Sequence, residues 1–501
     1  FLTGRQIVSA TIAAVPGAPG SGGQVRGIVS AGGYVPRARL RRSEVTAFLG
    51  SGGGKGARAV ASHDEDTTTM GVEAARAALG GAPAAVLGAL WFSTASPAYL
   101  DKTNATALHA ALRLSGDVPA LDFGGALRSG VGALLSALTS TTTTLVVMAD
   151  QRDGLPGGAD ESAGGDAAAA LLIADESPGS PVVARYLGGA SATDEILDRW
   201  RAPGERRSKA WEERFGETRY LALGLDAWSR ALKTAGLEAT EVDHLVVTGM
   251  HTRATKALAS KLGVRPDVVA DDLAATVGQS GTAHPGLVLA SVLETAGPGE
   301  TVALLHLADG ADGLVFRTTE AISTWTPARP VAAQVEGGAA LSYGKFLSWR
   351  GMLRPEPPRR PEPQRVSAPA AWRSEEWKFG FVGSRDRTSG AVHMPPARVS
   401  MRGGAVDDME PVAMAEVIGT VVTFTVDRLA YSPSPPIVFA VVDFEGGGRF
   451  PVELTDVDAD AVHIGDRVEM TFRRLYSADG IHDYFWKARP LRSGTTPAPE
   501  S

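Results

Sequence analysis

The spacing of apolar residues divides residues 25–336 into short strands that alternate with helices. Strands are predicted at 25–30, 86–92, 145–149, 167–173, 244–248, 268–270 and 301–307. Helices are predicted at 67–79, 104–114, 124–138, 217–235, 252–262 and 285–295. Such alternation is typical of a layered α/β fold, and the similar order of elements before and after residue 180 indicates two related halves.

The pattern changes after residue 349. Residues 350–371 carry prolines at 355, 357, 358, 361, 363 and 369, which predicts an extended and fairly stiff linker. Apolar and polar residues then alternate in short segments at 417–426, 437–444, 448–454, 467–472 and 484–487. Short strands of this kind, separated by turn sequences, predict a small antiparallel barrel.

Charge and hydropathy argue against two classes of partner. Lys and Arg total 49 against 56 Asp and Glu, a net charge of −7, so we do not expect nucleic-acid binding despite the aromatic residues of the barrel segment. No apolar run reaches the roughly 18 residues that a membrane span needs. Residues 1–23 lack a charged segment followed by an apolar core, so we expect a cytoplasmic protein without a secretory signal.

The sequence contains no cysteine. Disulfides, thiolate zinc sites and cysteine nucleophiles are therefore all excluded for these 501 residues. Any covalent or metal chemistry has to come from other side chains.

Several segments, taken in order, resemble the hydroxymethylglutaryl-CoA synthase branch of the thiolase superfamily. They are the opening strand and the sequence Gly33-Tyr34-Val35-Pro36, the acidic lead into a helix at 63–79, and the stretches 93–104, 147–154, 164–170 and 277–294. The resemblance covers roughly residues 25–320. It implies a thiolase-like duplicated αβαβα fold and chemistry on an acyl-CoA.

The family's catalytic positions are altered in this chain. In the family, a cysteine thiolate takes the acyl group, a histidine and an asparagine steady the thioester oxygen, and a glutamate moves protons. The resemblance places the cysteine at Leu127, the glutamate at Ala95, the histidine at Thr248 and the asparagine at Gln279. It therefore implies a site in which only Gln279 is a conservative change.

Other polar residues near these positions are alternative candidates. His251 and His284 lie a few residues beyond the histidine and asparagine positions, so both are expected to border the former pocket. For each of these two histidines, a structural role is favoured over a catalytic role. Ser129 follows Leu127 by two positions and, within a helix, would point elsewhere.

The C-terminal part is similar to acyl-CoA-associated OB-fold proteins of the DUF35 type, which begin with a zinc ribbon and commonly partner thiolase-like enzymes. The ribbon corresponds to residues 383–403. The positions of its four zinc cysteines are occupied by Asp386, Ser389, Ser400 and Gly403. We therefore expect no zinc in this chain.

Together these features predict an α/β fold followed by a small β-barrel. The predicted parts are a thiolase-like N-terminal half at 25–180, a thiolase-like C-terminal half at 181–349, a linker at 350–371, a degenerate zinc ribbon at 372–410 and an OB-fold domain at 411–492. The boundaries follow the changes of pattern described above.

Loss of the catalytic groups from a retained scaffold suggests a non-catalytic, scaffolding or regulatory subunit. Its partner would be a thiolase-fold protein in a hetero-oligomer, and the OB domain would contact that partner or its CoA channel.

The alternative is an active acyl-CoA enzyme, whether acyltransferase, condensing enzyme or retro-aldolase, that uses a non-cysteine site. Its residues would be His251, His284 and Gln279, and the basic run at 37–42 would meet CoA phosphates. CoA or acyl-CoA is the expected ligand, and no covalently bound cofactor is expected.

Overall fold

The computed structural model describes residues 25–80 and 87–491. Residues 1–23, in which no secretory signal was predicted, lie outside these ranges. So do residue 86, the first of the strand predicted at 86–92, and residue 492, the last of the predicted OB-fold domain. Within the described ranges, no helix is long and apolar enough to cross a membrane.

Residues 25–349, called the body here, alternate strands with helices. The strands are β1 (Arg26–Tyr34), β2 (Ala38–Arg41), β3 (Ala57–Val60), β4 (Ala89–Thr94), β5 (Ala120–Gly124), β6 (Thr144–Asp150), β7 (Ala167–Asp175), β8 (Ala184–Thr193), β9 (Arg199–Trp200), β10 (Lys209–Ala210), β11 (His244–Gly249), β12 (Thr301–Leu307), β13 (Gly310–Thr318) and β14 (Ala339–Ala340). The helices are α1 (Arg42–Leu49), α2 (Thr67–Gly80), α3 (Ala105–Ala111), α4 (Ser129–Thr139), α5 (Ala159–Ala163), α6 (Glu213–Ala235), α7 (Thr252–Ala259), α8 (His284–Leu293), α9 (Val331–Glu336) and α10 (Tyr343–Trp349).

A nine-stranded mixed sheet runs through the body in the order β11-β12-β13-β8-β1-β7-β6-β4-β5. Its two halves meet where β1 pairs with β8, at Gly27 with Arg185 and Ile28 with Ala184. Helix α8 packs against strands of both halves, α4 packs against α8 and strands of the first half, and the two helices form the central layer. Helix α2 covers the outer face of the first half and α6 that of the second, so the body has five layers.

The helices of the central layer are rich in small residues, as their position requires. Helix α4 has the sequence SGVGALLSALT and α8 the sequence HPGLVLASVL, and both are largely buried. A helix that is apolar on most sides is stable only when it is buried on most sides. The outer helix α6 is instead amphipathic, and it ends at Gly236, whose φ of 69° is the left-handed conformation that glycine adopts most readily.

Two predictions about these elements are wrong. No strand forms at 268–270 in the described chain, because Pro266–Val268 makes a 3-10 turn and only Val269 bridges to Leu245. The helix predicted at 124–138 begins five residues later, because β5 and the turn after it occupy residues 120–128. Leu127 therefore precedes the helix rather than lying within it.

The C-terminal part holds a small three-stranded sheet and a closed barrel. Its elements are α11 (Ala368–Arg373), α12 (Glu375–Lys378), β15 (Val382–Asp386), β16 (Val392–His393), β17 (Met409–Ala413), β18 (Gly419–Asp427), β19 (Ile437–Phe444), β20 (Arg449–Leu454), β21 (Arg467–Ala478) and β22 (Ile481–Pro490). Strands β16, β15 and β17 form the ribbon sheet, and the barrel order is β18-β19-β20-β22-β21.

A buried seam of charged residues ties the barrel to the body. Glu73 of α2 is fully buried and pairs with Arg76 at 2.7 Å, Arg329 at 2.8 Å and Arg489 of β22 at 2.9 Å. Burial alone would raise the pKa of Glu73, but the three guanidinium groups hold it well below its usual value. Nearby, Lys487 pairs with Asp64 at 3.0 Å.

Because a buried charge without its partner is costly, the seam predicts a large effect of one substitution. Glu73→Gln removes the carboxylate that neutralises three buried guanidinium groups. We therefore expect the free energy of unfolding of the full chain, measured by urea unfolding, to fall by about 3–5 kcal/mol. The control is Glu410→Gln, whose surface carboxylate lies 4.0 Å from Arg385 and contributes at most about 1 kcal/mol. Equal losses in the two variants would contradict the prediction.

Candidate active site

A cleft of about 990 Å³ opens at the carboxyl ends of five parallel-paired strands. Ala95 follows β4, Gly125 follows β5, Gln151 follows β6, Met250 follows β11 and Ala308 follows β12, and all five residues line the cleft. In open α/β sheets, ligands bind outside the carboxyl ends of the strands, so this cleft is the candidate active site.

The four family positions lie in two layers at this cleft. Ala95 and Leu127 line it, and Leu127 is half-buried. Thr248 and Gln279 do not line it, and their exposed fractions are only 1% and 7%. The cleft itself therefore presents two aliphatic side chains where the family has a nucleophile and a general base.

A buried histidine links two of these positions. His306 on β12 lies beside Thr248 on β11 in the parallel register, and its Nδ1 lies 2.9 Å from Thr248 Oγ1. Burial lowers the pKa of His306 to about 4; the Arg128 guanidinium acts in the same direction, while Asp312 and a hydrogen bond with the Leu127 backbone oppose it. The imidazole is therefore neutral at pH 7, and its Nε2 is buried, with the Leu127 backbone as the further polar group at the ring.

His284, at the start of α8, is a second neutral imidazole in the same buried region. Its Nδ1 accepts a long hydrogen bond of 3.4 Å from the Ser280 amide, which assigns the ring proton to Nε2. Burial lowers its pKa to about 4, and the nearby His306 contributes to the shift. Asp272 opposes the shift, both through its charge and through a backbone hydrogen bond to the ring.

His251 lies on the cleft wall with both ring nitrogens occupied. Nδ1 accepts a hydrogen bond of 3.1 Å from the Ala254 amide and so caps α7, and Nε2 lies 2.9 Å from the Glu213 carbonyl oxygen. Two backbone partners indicate a structural role for His251. Ser129 donates to the Gly124 carbonyl at 3.0 Å and does not line the cleft.

Three groups on the cleft walls were missed by sequence reasoning. The Tyr220 hydroxyl accepts a hydrogen bond of 3.3 Å from the Asp309 amide and also bonds to the Asp198 carboxyl. Burial raises the pKa of Asp198, although His251, Arg199 and Tyr220 act against the shift. These residues come from separate loops and α6, so no local pattern in the sequence marks them as a group.

Two basic side chains of one hairpin line the cleft. Arg201 and Arg206, between β9 and β10, line it, and Arg201 donates to the Ala95 carbonyl oxygen at 2.7 Å. The run at 37–42 is used differently: the Arg39 and Arg42 guanidinium groups are buried and donate to backbone carbonyls. The predicted use of that run for CoA phosphates therefore does not fit its position.

In the ribbon, the structure brings the four former zinc-ligand positions together. The Asp386 carboxylate, which has no exposed surface, accepts hydrogen bonds from Ser389 Oγ at 2.5 Å and the Thr388 amide at 2.9 Å. Hydrogen bonds from Ser389 and Ser400 lower its pKa. A Cβ added at Gly403 would lie 2.9 Å from Asp386 Oδ2. A carboxylate thus holds the loops that a zinc ion would hold.

Over residues 25–80 and 87–491, no group of three or more His, Asp or Glu side chains is arranged to bind a metal ion. The lack of zinc remains a prediction for the protein in solution.

Known proteins match the two parts of the chain separately. The family model for the C-terminal OB-fold domain of ChsH2 matches residues 411–473. The hydroxymethylglutaryl-CoA synthase of Pyrococcus furiosus is 29% identical over 301 residues, which is 58% of this chain and 85% of that protein. The synthase of Methanopyrus kandleri is 27% identical over 348 residues, 66% of this chain and 98% of that protein.

Solved structures agree on the fold. MvaS in complex with 3-hydroxy-3-methylglutaryl coenzyme A superposes with a TM-score of 0.52 at 19% identity, covering 69% of this chain and 94% of that one. The chain is a thiolase-like layered α/β protein with a C-terminal OB-fold domain, which confirms the predicted fold class. Its body has hydroxymethylglutaryl-CoA synthases among its homologues, so the predicted fusion is confirmed as well.

The expectation of a non-catalytic, scaffolding subunit is wrong. The homologues are named as hydroxymethylglutaryl-CoA synthases, and structures of relatives hold CoA or hydroxymethylglutaryl-CoA, which points to a catalytic condensing enzyme. That expectation equated loss of the nucleophile with loss of the chemistry, whereas an open cleft and a buried polar cluster accompany the substituted positions.

The Asp386 cluster predicts that zinc binding can be restored. The variant Asp386→Cys, Ser389→Cys, Ser400→Cys and Gly403→Cys places four thiols around one point, and we expect about one zinc per chain by metal analysis. The matched control keeps Asp386 and carries the other three cysteines, and we expect it to lose zinc to a chelator more readily. Absence of zinc from the four-cysteine variant would show that these positions do not form the former site.

Proposed function

We propose that the chain is an acyl-CoA enzyme that makes or breaks the carbon–carbon bond between the α- and β-carbons of the acyl group, without an acyl-enzyme intermediate. The observation that carries the proposal is the pair of neutral, buried imidazoles, His284 and His306, behind the cleft wall, of which His306 contacts the backbone of Leu127. The function is of the condensing or retro-aldol type and uses a non-cysteine site.

Neutral imidazole N–H groups are suited to holding an oxyanion. When the Thr248 hydroxyl donates to His306 Nδ1, the ring proton lies on Nε2, as it does in His284. Neither ring lines the cleft itself, so the thioester carbonyl has to reach behind Leu127; two such donors there stabilise the enolate oxygen of a thioester more than the neutral carbonyl from which it forms. The pair thus supplies what the family's histidine and asparagine supply.

Acid–base chemistry is assigned to the cleft wall. The raised pKa of Asp198 brings its carboxyl closer to the range in which a group both takes and returns a proton at neutral pH. Tyr220 connects this carboxyl to the cleft through its hydroxyl.

The reaction balances without a further reactant. In the cleavage direction, a base takes the proton of the β-hydroxyl group, the β-oxygen forms a carbonyl, and the α–β bond breaks. Its electron pair passes to the α-carbon and the thioester oxygen as an enolate, which then receives a proton at the α-carbon. The condensation is the same sequence reversed.

CoA recognition is assigned to the hairpin between β9 and β10. The guanidinium groups of Arg201 and Arg206 stand at the cleft and provide positive charge for the CoA phosphates. Relatives of the same fold have been solved with CoA and with hydroxymethylglutaryl-CoA.

The expected cytoplasmic location and the expected thiolase-fold partner remain predictions. We assign the binding of such a partner to β5, which is an edge strand of the sheet and whose Leu121 is 51% exposed.

The first test is turnover by the full chain alone. It is supplied with hydroxymethylglutaryl-CoA and other 3-hydroxyacyl-CoA esters, and separately with acetyl-CoA and acetoacetyl-CoA, and products are followed by liquid chromatography and mass spectrometry. We expect His306→Ala and His284→Ala each to lower kcat by about 10²–10³-fold with little change in KM, because the donors act on the developing oxyanion.

The matched control is His463→Ala, a substitution of an exposed histidine of the barrel. It is expected to retain wild-type kcat and KM, and thermal unfolding of each variant confirms that it has folded. Absence of turnover with every ester, or equal activity of the wild type and both cleft variants, would refute the proposed function.

A separate prediction concerns covalent chemistry. Leu127 has no atom that can attack a thioester, and the chain contains no cysteine, so incubation with acetyl-CoA leaves the intact mass unchanged. Intact-mass spectrometry followed by peptide mapping checks this. A single acetyl adduct at Ser129 or another side chain would replace the enolate mechanism with acyl transfer.

A further inference from the structure

A second cavity, of about 620 Å³, lies on the body where β2 passes into α1. Its wall is formed by this junction, by the glycine-rich loop between α1 and β3, by residues 275–276 and by residues 335 and 338. It shares no lining residue with the acyl-CoA cleft. A ligand bound here would therefore occupy a site of its own.

Every charged side chain that lines this cavity is basic. The three are Arg39, Arg41 and Lys55, and none of the described residues in the lining is an Asp or a Glu. The side chains of Arg41 and Lys55 are exposed, and neither forms an ion pair within residues 25–80 and 87–491. The cavity therefore attracts anions.

A buried guanidinium group behind the wall adds to this charge. Arg42 is buried, and it donates to the carbonyl oxygens of Ser162, Lys55 and Ala274 at 2.5–2.9 Å. A Cβ added at Gly56, which lines the cavity, would lie 3.1 Å from Arg42 Nη1. Burial lowers the pKa of Arg42, and no carboxylate of the described chain offsets this shift. Because a buried charge without a counter-ion is costly, an anion in the adjacent cavity stabilises this arginine.

Neutral hydrogen-bond donors line the same cavity. The amides of Gly54, Lys55 and Gly56 donate no hydrogen bond within the described part of the chain. Gly54 and Gly56 have φ of 127° and 82°, a region that glycine enters readily. Successive amides in turns of this kind form concavities that bind anions. The exposed Ser43 hydroxyl, at the start of α1, is a further donor in the lining.

We propose that this cavity binds a small phosphate ester, at a site separate from the acyl-CoA cleft. The phosphate would lie against Arg41 and Lys55 and accept hydrogen bonds from the amides of residues 54–56. A phosphate ester offers three acceptor oxygens and about two negative charges near neutral pH, which matches several cations and several donors at once. A carboxylate, with one charge and two oxygens, would leave more of them unmatched.

The cavity also offers apolar surface to the organic part of such an ester. This surface comes from the side chains of Ala57, Ala275 and Val335. Ligand sites commonly combine apolar walls with a few polar groups that fix the orientation of the ligand. Free inorganic phosphate would not use these walls, so we expect an ester to bind more tightly than the free ion.

The site is independent of the proposed reaction, so it is tested by binding to the full chain rather than by turnover. The probes are phenyl phosphate and AMP as esters, with inorganic phosphate and acetate at equal ionic strength. Titration calorimetry gives the affinity, and thermal unfolding reports the stabilisation that a bound ligand confers. We expect both esters to raise the unfolding temperature and acetate to leave it unchanged.

Two variants locate the site. Lys55→Gln and Arg41→Gln each remove one exposed charge that has no ion pair in the described chain, so both are expected to fold as the wild type does. We expect each to weaken binding of the esters by about tenfold or more, as loss of a hydrogen bond to a charged group implies.

Two matched controls separate this site from other positive charges. Lys261→Gln removes an exposed lysine elsewhere on the body, and Arg206→Gln removes a guanidinium group of the acyl-CoA cleft. Both are expected to keep wild-type affinity for phenyl phosphate and AMP.

The proposal is overturned if the wild type binds neither ester, if acetate produces the same shift, or if Lys55→Gln and Arg41→Gln both bind as the wild type does. Weaker ester binding by Arg206→Gln alone would place the phosphate in the acyl-CoA cleft. Inorganic phosphate that binds as tightly as the esters would reassign the cavity to a free ion. Either of these results also contradicts the proposal.

Discussion

The buried charges between α2 and the barrel constrain the arrangement of the whole molecule. Glu73 is surrounded by guanidinium groups from the body and from β22, and Asp64 contacts Lys487 of the same strand. Since each buried charge is tolerable only with its partner present, the barrel has one favourable position on the body. The β21–β22 hairpin then reaches the cleft loop, where the His482 amide donates to the Tyr99 hydroxyl at 2.8 Å. Barrel docking and the shape of the cleft are therefore linked.

Much of the fold could be predicted because its elements have strong local periodicity. Helix α2 and strands β6, β12 and β19 form within a residue or two of their predicted bounds. Strands β8 and β13 were missed because their glycines and alanines weaken the alternating pattern: β8 has the sequence ARYLGGASAT. Their place in the sheet is set by pairing with each other and, for β13, with β12 rather than by local preference.

The site was harder to predict, for a physical reason. The family positions were identifiable as Ala95, Leu127, Thr248 and Gln279 because they lie in recognisable segments, but the groups that now surround them come from elsewhere. His306 lies 58 residues from Thr248 along the chain and becomes its neighbour only through the parallel register of β11 and β12. The one local indication was a histidine in an otherwise apolar strand, TVALLHL.

That register also suggests how the chemistry can persist without cysteine. Adjacent strands lie about 4.8 Å apart, so an imidazole on β12 reaches the space that a histidine at position 248 of β11 would occupy. The thiolate is needed only to hold an acyl group covalently, whereas formation of an enolate depends on donors at the thioester oxygen and a base near the β-substituent. In the proposed function, a scaffold whose oxyanion donor lies one strand away and which has no nucleophile is restricted to reactions that proceed through the enolate alone. The aliphatic Leu127 fits that restriction, because it gives the cleft an inert surface at that position.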